Sequence, residues 1–70
     1  MVLYPNPAYD MVQIATDASV NDIIIYDLSG KMIHHLSHSR QIDISGLSKG
    51  IYFVKILTDS FTCTKKLVKL

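Results

Sequence analysis

The sequence predicts an all-β protein, a small antiparallel sandwich of seven short strands. Turn-forming residues recur about every ten positions, and the segments between them are rich in Val, Ile, Tyr, Phe and Thr, which favour half-buried pleated surfaces. No segment has the apolar spacing of a helix. Because the 70-residue chain is shorter than the ~100 residues of an immunoglobulin domain, the sandwich is expected to be immunoglobulin-like in outline only.

The first half of the chain predicts an edge strand, an amphipathic strand and the centre of a sheet. Residues 1–4 precede two prolines, which cannot donate ladder hydrogen bonds, so this strand is expected at an edge. Residues 10–16 alternate in polarity, and Val12 and Ile14 are predicted to face inward. Residues 21–27 are apolar on both faces, which is typical of a central strand covered on both sides.

The second half predicts two hairpins joined by a loop. Residues 27–30 (Asp-Leu-Ser-Gly) fit a type I turn whose glycine adopts a left-handed conformation. The return strand of this hairpin is predicted to begin at Lys31 and to run through about His38. Residues 40–45 alternate inward-facing isoleucines with outward-facing polar residues. A loop over 46–50 leads into the strongest strand, 51–58, and residues 61–70 return beside it after a tight reversal.

Size and composition exclude several classes of function. A domain of this length buries only ~60% of its unfolded surface and has little room for a substrate pocket of ~300 Å³, which argues against an enzyme. The net charge of +1, from seven basic and six acidic residues, is too small to recruit nucleic acid or an anionic membrane. No apolar run approaches the ~20 residues of a membrane helix, so direct membrane insertion is not expected.

The side chains that could bear chemistry show no catalytic, cofactor-binding or metal-binding pattern. Adjacent strand residues face opposite sides, so His34 and His35 are not expected to bind one ion, and His38 alone does not make a site. The single cysteine, Cys63, is expected to be a half-buried free thiol. The six carboxylates are predicted to serve in turns and on the surface. They are Asp10, Asp17, Asp22, Asp27, Asp43 and Asp59.

Three short motifs follow one another in a fixed order along the chain. The residues that define them are Tyr4, Pro5, Asn6 and Pro7, then Asp27, Gly30 and Lys31, and then Gly50 and Tyr52. Together with a Lys-rich, apolar last strand, they make residues 3–70 resemble the type A C-terminal sorting domain of type IX secretion cargo in Bacteroidetes, also called the Por secretion system sorting domain.

This resemblance implies a secretion signal and a set of partners. Residues 1–70 would be one sorting domain excised from a larger secreted protein, with covalently linked cargo on the N-terminal side and a signal peptide on that missing part. The domain would be recognised in the periplasm by translocon and shuttle proteins through protein-protein contacts. A sortase would then remove it upstream of Tyr4, and the cargo would reach the cell surface or the medium.

The resemblance also points to the last strand as the recognised element. Domains of this kind depend on their basic, apolar terminus for export, so recognition is expected at Lys65, Lys66, Val68, Lys69 and Leu70. A terminal edge strand has unpaired N–H and C=O groups to which a receptor could add a strand. The alternative role for these lysines is to protect an edge against aggregation.

Two other functions stay open at this point. The chain could be an accessory module for carbohydrate binding or adhesion, although it has no Trp and only four Tyr for a sugar-binding platform. Tyr26 and Tyr52 also lie in the strands that are expected to be buried. Alternatively, edge strands could pair two copies into a homodimer.

Overall fold

A computed structural model describes all residues, Met1–Leu70, and folds them into two antiparallel sheets without a helix, so no helix of the structure could cross a membrane. The strands are β1 (Val2–Tyr4), β2 (Met11–Ala15), β3 (Val20–Tyr26), β4 (Met32–Ser37), β5 (Gln41–Asp43), β6 (Gly50–Thr58) and β7 (Thr62–Lys69). The three-stranded sheet has the order β1-β2-β5, and the four-stranded sheet has the order β4-β3-β6-β7. The predicted seven-stranded all-β fold is confirmed.

The core lies between the inner faces of the two sheets. Alternate residues of each strand supply it, as the side-chain period of a strand requires. Its buried members are Leu3, Ala8, Val12, Ile14, Val20, Ile23, Ile25, Ile42, Ile44, Tyr52, Val54, Ile56 and Leu67. The predicted inward direction of Val12 and Ile14, and of the two isoleucines in residues 40–45, is confirmed. The free thiol of Cys63 is half-buried, also as predicted.

Strand β3 lies inside its sheet, between β4 and β6, and so confirms the predicted central position. Ile23 and Ile25 are fully buried in the core. The expectation that both faces are covered is wrong, because Ile24 and Tyr26 point away from the other sheet and are only half-buried. The strand is apolar on a face that no other layer of this chain covers.

The hairpin between β3 and β4 has the predicted left-handed glycine. Gly30 has a φ of 87°, and its N–H donates to the carbonyl oxygen of Asp27 at 3.0 Å. The Asp27 carboxylate accepts from the Ser29 N–H, the Ser29 hydroxyl and the Lys31 N–H at 2.9, 2.6 and 3.0 Å. Gly50, at the start of β6, has a φ of 150°, a conformation that side chains rarely adopt.

Strand β1 is an edge strand, as predicted, and the segment after it crosses to the other sheet. The Tyr4–Pro5 and Asn6–Pro7 peptide bonds in this segment are both cis. Ala8 then forms a short parallel bridge with β7. Its N–H donates to the Val68 carbonyl at 2.9 Å, and its carbonyl accepts from the Leu70 N–H at 2.8 Å. The first residues of the chain thereby hold the last strand.

Candidate recognition surface at the last strand

The five residues predicted for recognition do not share one face of β7. Lys65 and Lys69 are on the side that faces the core, in line with buried Leu67, and Lys69 is only 9% exposed. Lys66 is exposed and Val68 is half-buried on the outer face of the sheet. The structure brings them together along one strand end, but on both faces of the strand. The fifth, Leu70, follows β7 and is 44% exposed.

Lys69 is the least exposed of these five side chains, and none of the six aspartates lies within ion-pairing distance of its ammonium group. The ammonium group donates to the main-chain oxygen of Leu70 at 3.2 Å. Lys69 lines a shallow pocket with Tyr9, Lys49, Gly50 and Leu70. The pocket therefore has two cations and no acidic side chain.

Asn6 occupies the outer edge of β7 with its side chain. Its amide nitrogen donates to the Lys66 carbonyl at 2.7 Å, and its amide oxygen accepts from the Val68 N–H at 3.0 Å. Asn6 and Ala8 together bond the edge from Lys66 to Leu70. This half of β7 is therefore not the free edge that strand addition by a receptor would need.

The other motif residues stabilise turns and the core. Tyr52 is 8% exposed, and its hydroxyl donates to the Ser48 carbonyl at 2.6 Å, which ties the loop before β6 to the core. Tyr26 is less buried than expected, since its ring lies on the outer face of the sheet. Tyr4, Pro5 and Pro7 are exposed.

The histidines and aspartates hold surface structure. Asp22 accepts from Ser37 and is bonded to His35 at 2.9 Å, across neighbouring strands. His34 is paired with Ile25 and so lies on the opposite face from His35. No three His, Cys, Asp or Glu side chains come together as a metal site would need.

Three aspartates make stability depend on pH. Hydrogen bonds from the Ser29 hydroxyl and the Lys31 N–H lower the pKa of Asp27. Hydrogen bonds from the Ser45 hydroxyl and N–H lower the pKa of Asp43. The hydrogen bond to His35 lowers the pKa of Asp22. A carboxylate whose folded-state pKa is depressed stabilises the fold above its unfolded-state value of about 3.9, and this stabilisation is lost as the pH falls through the folded-state pKa.

We expect the urea midpoint of unfolding to decrease as the pH falls below about 4. The decrease should be smaller in the variant D27N with D43N, because two of the carboxylates that must be protonated are then gone. Asp17→Asn is a matched control, since Asp17 is exposed and makes no such bonds. A midpoint that does not change between pH 6 and 2, or an unchanged slope in the double variant, would contradict the assignment.

Sequence reasoning missed the role of Asn6 at the edge of β7 and the exposed apolar outer face of the four-stranded sheet. The prolines on both sides of Asn6 interrupt backbone pairing, and an asparagine amide can donate and accept hydrogen bonds as a backbone N–H and C=O do. Nothing in the sequence indicates which strand it would reach, 60 and 62 residues away.

Comparison with known proteins identifies the family of this chain. Residues 2–70 match the profile of a family described as a secretion system C-terminal sorting domain. A relative, Beta-agarase A of Zobellia galactanivorans, is 34% identical over 77% of this chain. The match covers 11% of that relative, so the chain spans about a tenth of its length. Since the family profile covers nearly the whole chain, the chain belongs to the secretion system C-terminal sorting domain family and is a C-terminal secretion signal.

Proposed function

We propose that the domain directs a covalently linked N-terminal cargo through the type IX translocon, and that proteins of this system recognise the end of β7. The domain itself catalyses nothing. The cargo passes through the periplasm to the cell surface or the medium, with shuttle proteins binding the domain and a sortase removing it. The recognition residues are Lys65, Lys66, Val68, Lys69 and Leu70.

The observation that carries this proposal is the state of Lys69. Most of the Lys69 side chain is packed against the domain, so a long and normally mobile lysine is held in place at the pocket. Its ammonium group has one hydrogen-bond partner in the domain, the main-chain oxygen of Leu70. Lys49 lines the same pocket and adds a second positive charge. An ammonium group has three donors, so a receptor carboxylate placed in the pocket could form a further, charge-assisted hydrogen bond with Lys69.

The bonds of Asn6 and Ala8 favour recognition through side chains at this strand end. A receptor that added a strand along residues 66–70 would first have to break four hydrogen bonds, two from each of these residues. Only the first part of the β7 edge, around Thr62 and Thr64, has no neighbouring strand. That part, the β4 edge and the edges of β1 and β5 in the other sheet are where two copies could pair their edge strands.

Export of a fusion protein tests the proposal. The chain is placed behind a periplasmically targeted fluorescent protein in a Bacteroidetes host, with and without a working type IX translocon. Fluorescence should appear outside the cell only with the translocon. Lys69→Ala should reduce export at least tenfold, since tenfold in binding corresponds to only about 1.4 kcal/mol and loss of one partner of a hydrogen-bonded charge pair at an interface costs ~2 kcal/mol or more. Lys69→Arg, which keeps the charge, should retain most of it.

Lys31→Ala is the matched control, because Lys31 is an exposed lysine at the turn before β4 and should be exported like the parent. Thermal unfolding of the purified Lys69 variants shows whether they fold. Translocon-independent export would overturn the assignment to this system. Normal export of a folded Lys69→Ala variant would overturn the role of the pocket.

A further inference from the structure

The outer face of the four-stranded sheet is apolar and has no covering layer. Its apolar side chains come from all four strands and are half-buried or exposed. They are Ile24, Tyr26, Met32, Ile51, Phe53, Leu57 and Val68. Three of them are large and well exposed, with Ile51 at 39%, Phe53 at 38% and Met32 at 56%. We call this surface the outer face.

The register of the strands makes the outer face continuous. Phe53 lies between Tyr26 on β3 and Lys66 on β7, and Ile51 is paired with Val68. Directly opposite residues in antiparallel strands have Cβ atoms ~5 Å apart. Apolar side chains are therefore neighbours across strands in the rows of Phe53 and Ile51, and a partner would meet a connected apolar patch there.

Charge on the outer face is positive. Lys66 extends the row of Phe53, and Lys55 lies between Ile24 and Thr64 in the next row. The one carboxylate on this face is Asp22, which is already bonded to His35 and Ser37. Neither lysine has a carboxylate within ion-pairing distance.

We propose that the outer face docks a second protein, whose contact surface is apolar and has carboxylates opposite Lys55 and Lys66. A second copy of this chain fits poorly, because two outer faces would bring four lysines together with only two carboxylates, each already hydrogen-bonded. The face measures on the order of 300 Å² from strand spacing and rise. This is less than the ~800 Å² per partner of a stable complex, so the contact is transient.

This surface is distinct from the pocket of Lys69, which is on the other side of β7. The outer face shares Lys66 and Val68 with the proposed recognition residues, but most of it lies on β3, β4 and β6. The inference therefore goes beyond the proposed function and can be tested with residues outside the terminal recognition set. Phe53, Ile51 and Lys55 meet that requirement. Met11 provides the matched control position, since it is 41% exposed on the outer side of the other sheet.

Site-specific photo-crosslinking in the exporting host is the test. A benzophenone-bearing phenylalanine analogue replaces Phe53 in one fusion and Met11 in another. We expect a discrete protein adduct from position 53 and none from position 11. In the position-53 fusion, Lys55→Glu should reduce the adduct about tenfold, because like charges then face each other, whereas Lys55→Arg should preserve it. Mass spectrometry of the adduct should identify a segment with apolar residues and Asp or Glu.

The outcomes separate this inference from the proposed function. No adduct from position 53, equal adducts from both positions, or an adduct insensitive to Lys55→Glu would overturn the docking surface, even when export is normal. An adduct with the expected charge dependence would support the docking surface. It would do so even if the Lys69→Ala fusion were exported normally, because normal export of that fusion overturns only the proposed role of the pocket.

Discussion

Ile56→Ala is expected to remove a large part of the stability of the domain. Ile56 is fully buried in β6, where it lies between Ile23 of β3 and Cys63 of β7. Replacing a buried isoleucine by alanine costs about 2–5 kcal/mol, from lost burial and the cavity left behind. A domain of this size has a free energy of unfolding of about 4–10 kcal/mol. Urea unfolding followed by circular dichroism should show a strongly lowered midpoint.

Ile51→Ala is the control for this prediction. It is the same chemical change on the same strand, but the Ile51 side chain is on the outer face and is 39% exposed. We expect a cost below about 1 kcal/mol, as for most surface substitutions. Equal losses from the two substitutions would mean that the outer face contributes to stability as much as the core does.

Asn6→Ala is expected to release the end of β7. The variant loses the bond from the Asn6 amide nitrogen to the Lys66 carbonyl and the bond from the Val68 N–H to the Asn6 amide oxygen. Each such bond contributes about 0.5–1.5 kcal/mol, so the free energy of unfolding should fall by about 1–3 kcal/mol. Hydrogen exchange should show a faster rate at the Val68 amide, because its acceptor is gone.

Two further asparagine variants sharpen this test. Asn6→Asp keeps an acceptor for the Val68 N–H, so hydrogen exchange at Val68 should stay slower than in Asn6→Ala. Its second carboxylate oxygen faces the Lys66 carbonyl oxygen in place of the lost donor, so the variant should still be less stable than the parent. Asn21→Ala removes a single bond to the Asp59 side chain at 2.8 Å and should cost less than about 1 kcal/mol. An unchanged exchange rate at Val68 in Asn6→Ala would show that Ala8 alone holds the strand end.

The sequence predicts the elements well where local chemistry decides them. Alternation around Val12 and Ile14 identifies an inward face, because a strand has a side-chain period of two. Asp27 and Gly30 identify a hairpin, because the aspartate can cap the turn and the glycine tolerates a positive φ. The family motifs add the function, which composition and periodicity do not contain.

Features that depend on contacts between distant segments could not be predicted. The apolar residues of β3 predict a strand that is buried on both faces. A strand has the same run of apolar residues in its sequence whether or not a second layer covers its outer face. Lys69 was predicted for recognition from its position at the terminus. Its near-burial depends on where the segment around Tyr9 and the loop around Lys49 lie, and only the three-dimensional arrangement shows it.

The bridge between Ala8 and Lys69 bears on the order in which the domain can form. As the chain is synthesised, residues 1–61 emerge before β7, and at that stage β6 lacks one neighbour and the core lacks Leu67. The segment at Asn6 also has nothing to bond until residues 66–70 exist. Contacts of such long sequence separation form slowly. Folding of the domain is therefore completed only after its last strand is made, so the nascent chain passes through a period in which the four-stranded sheet and the core are incomplete.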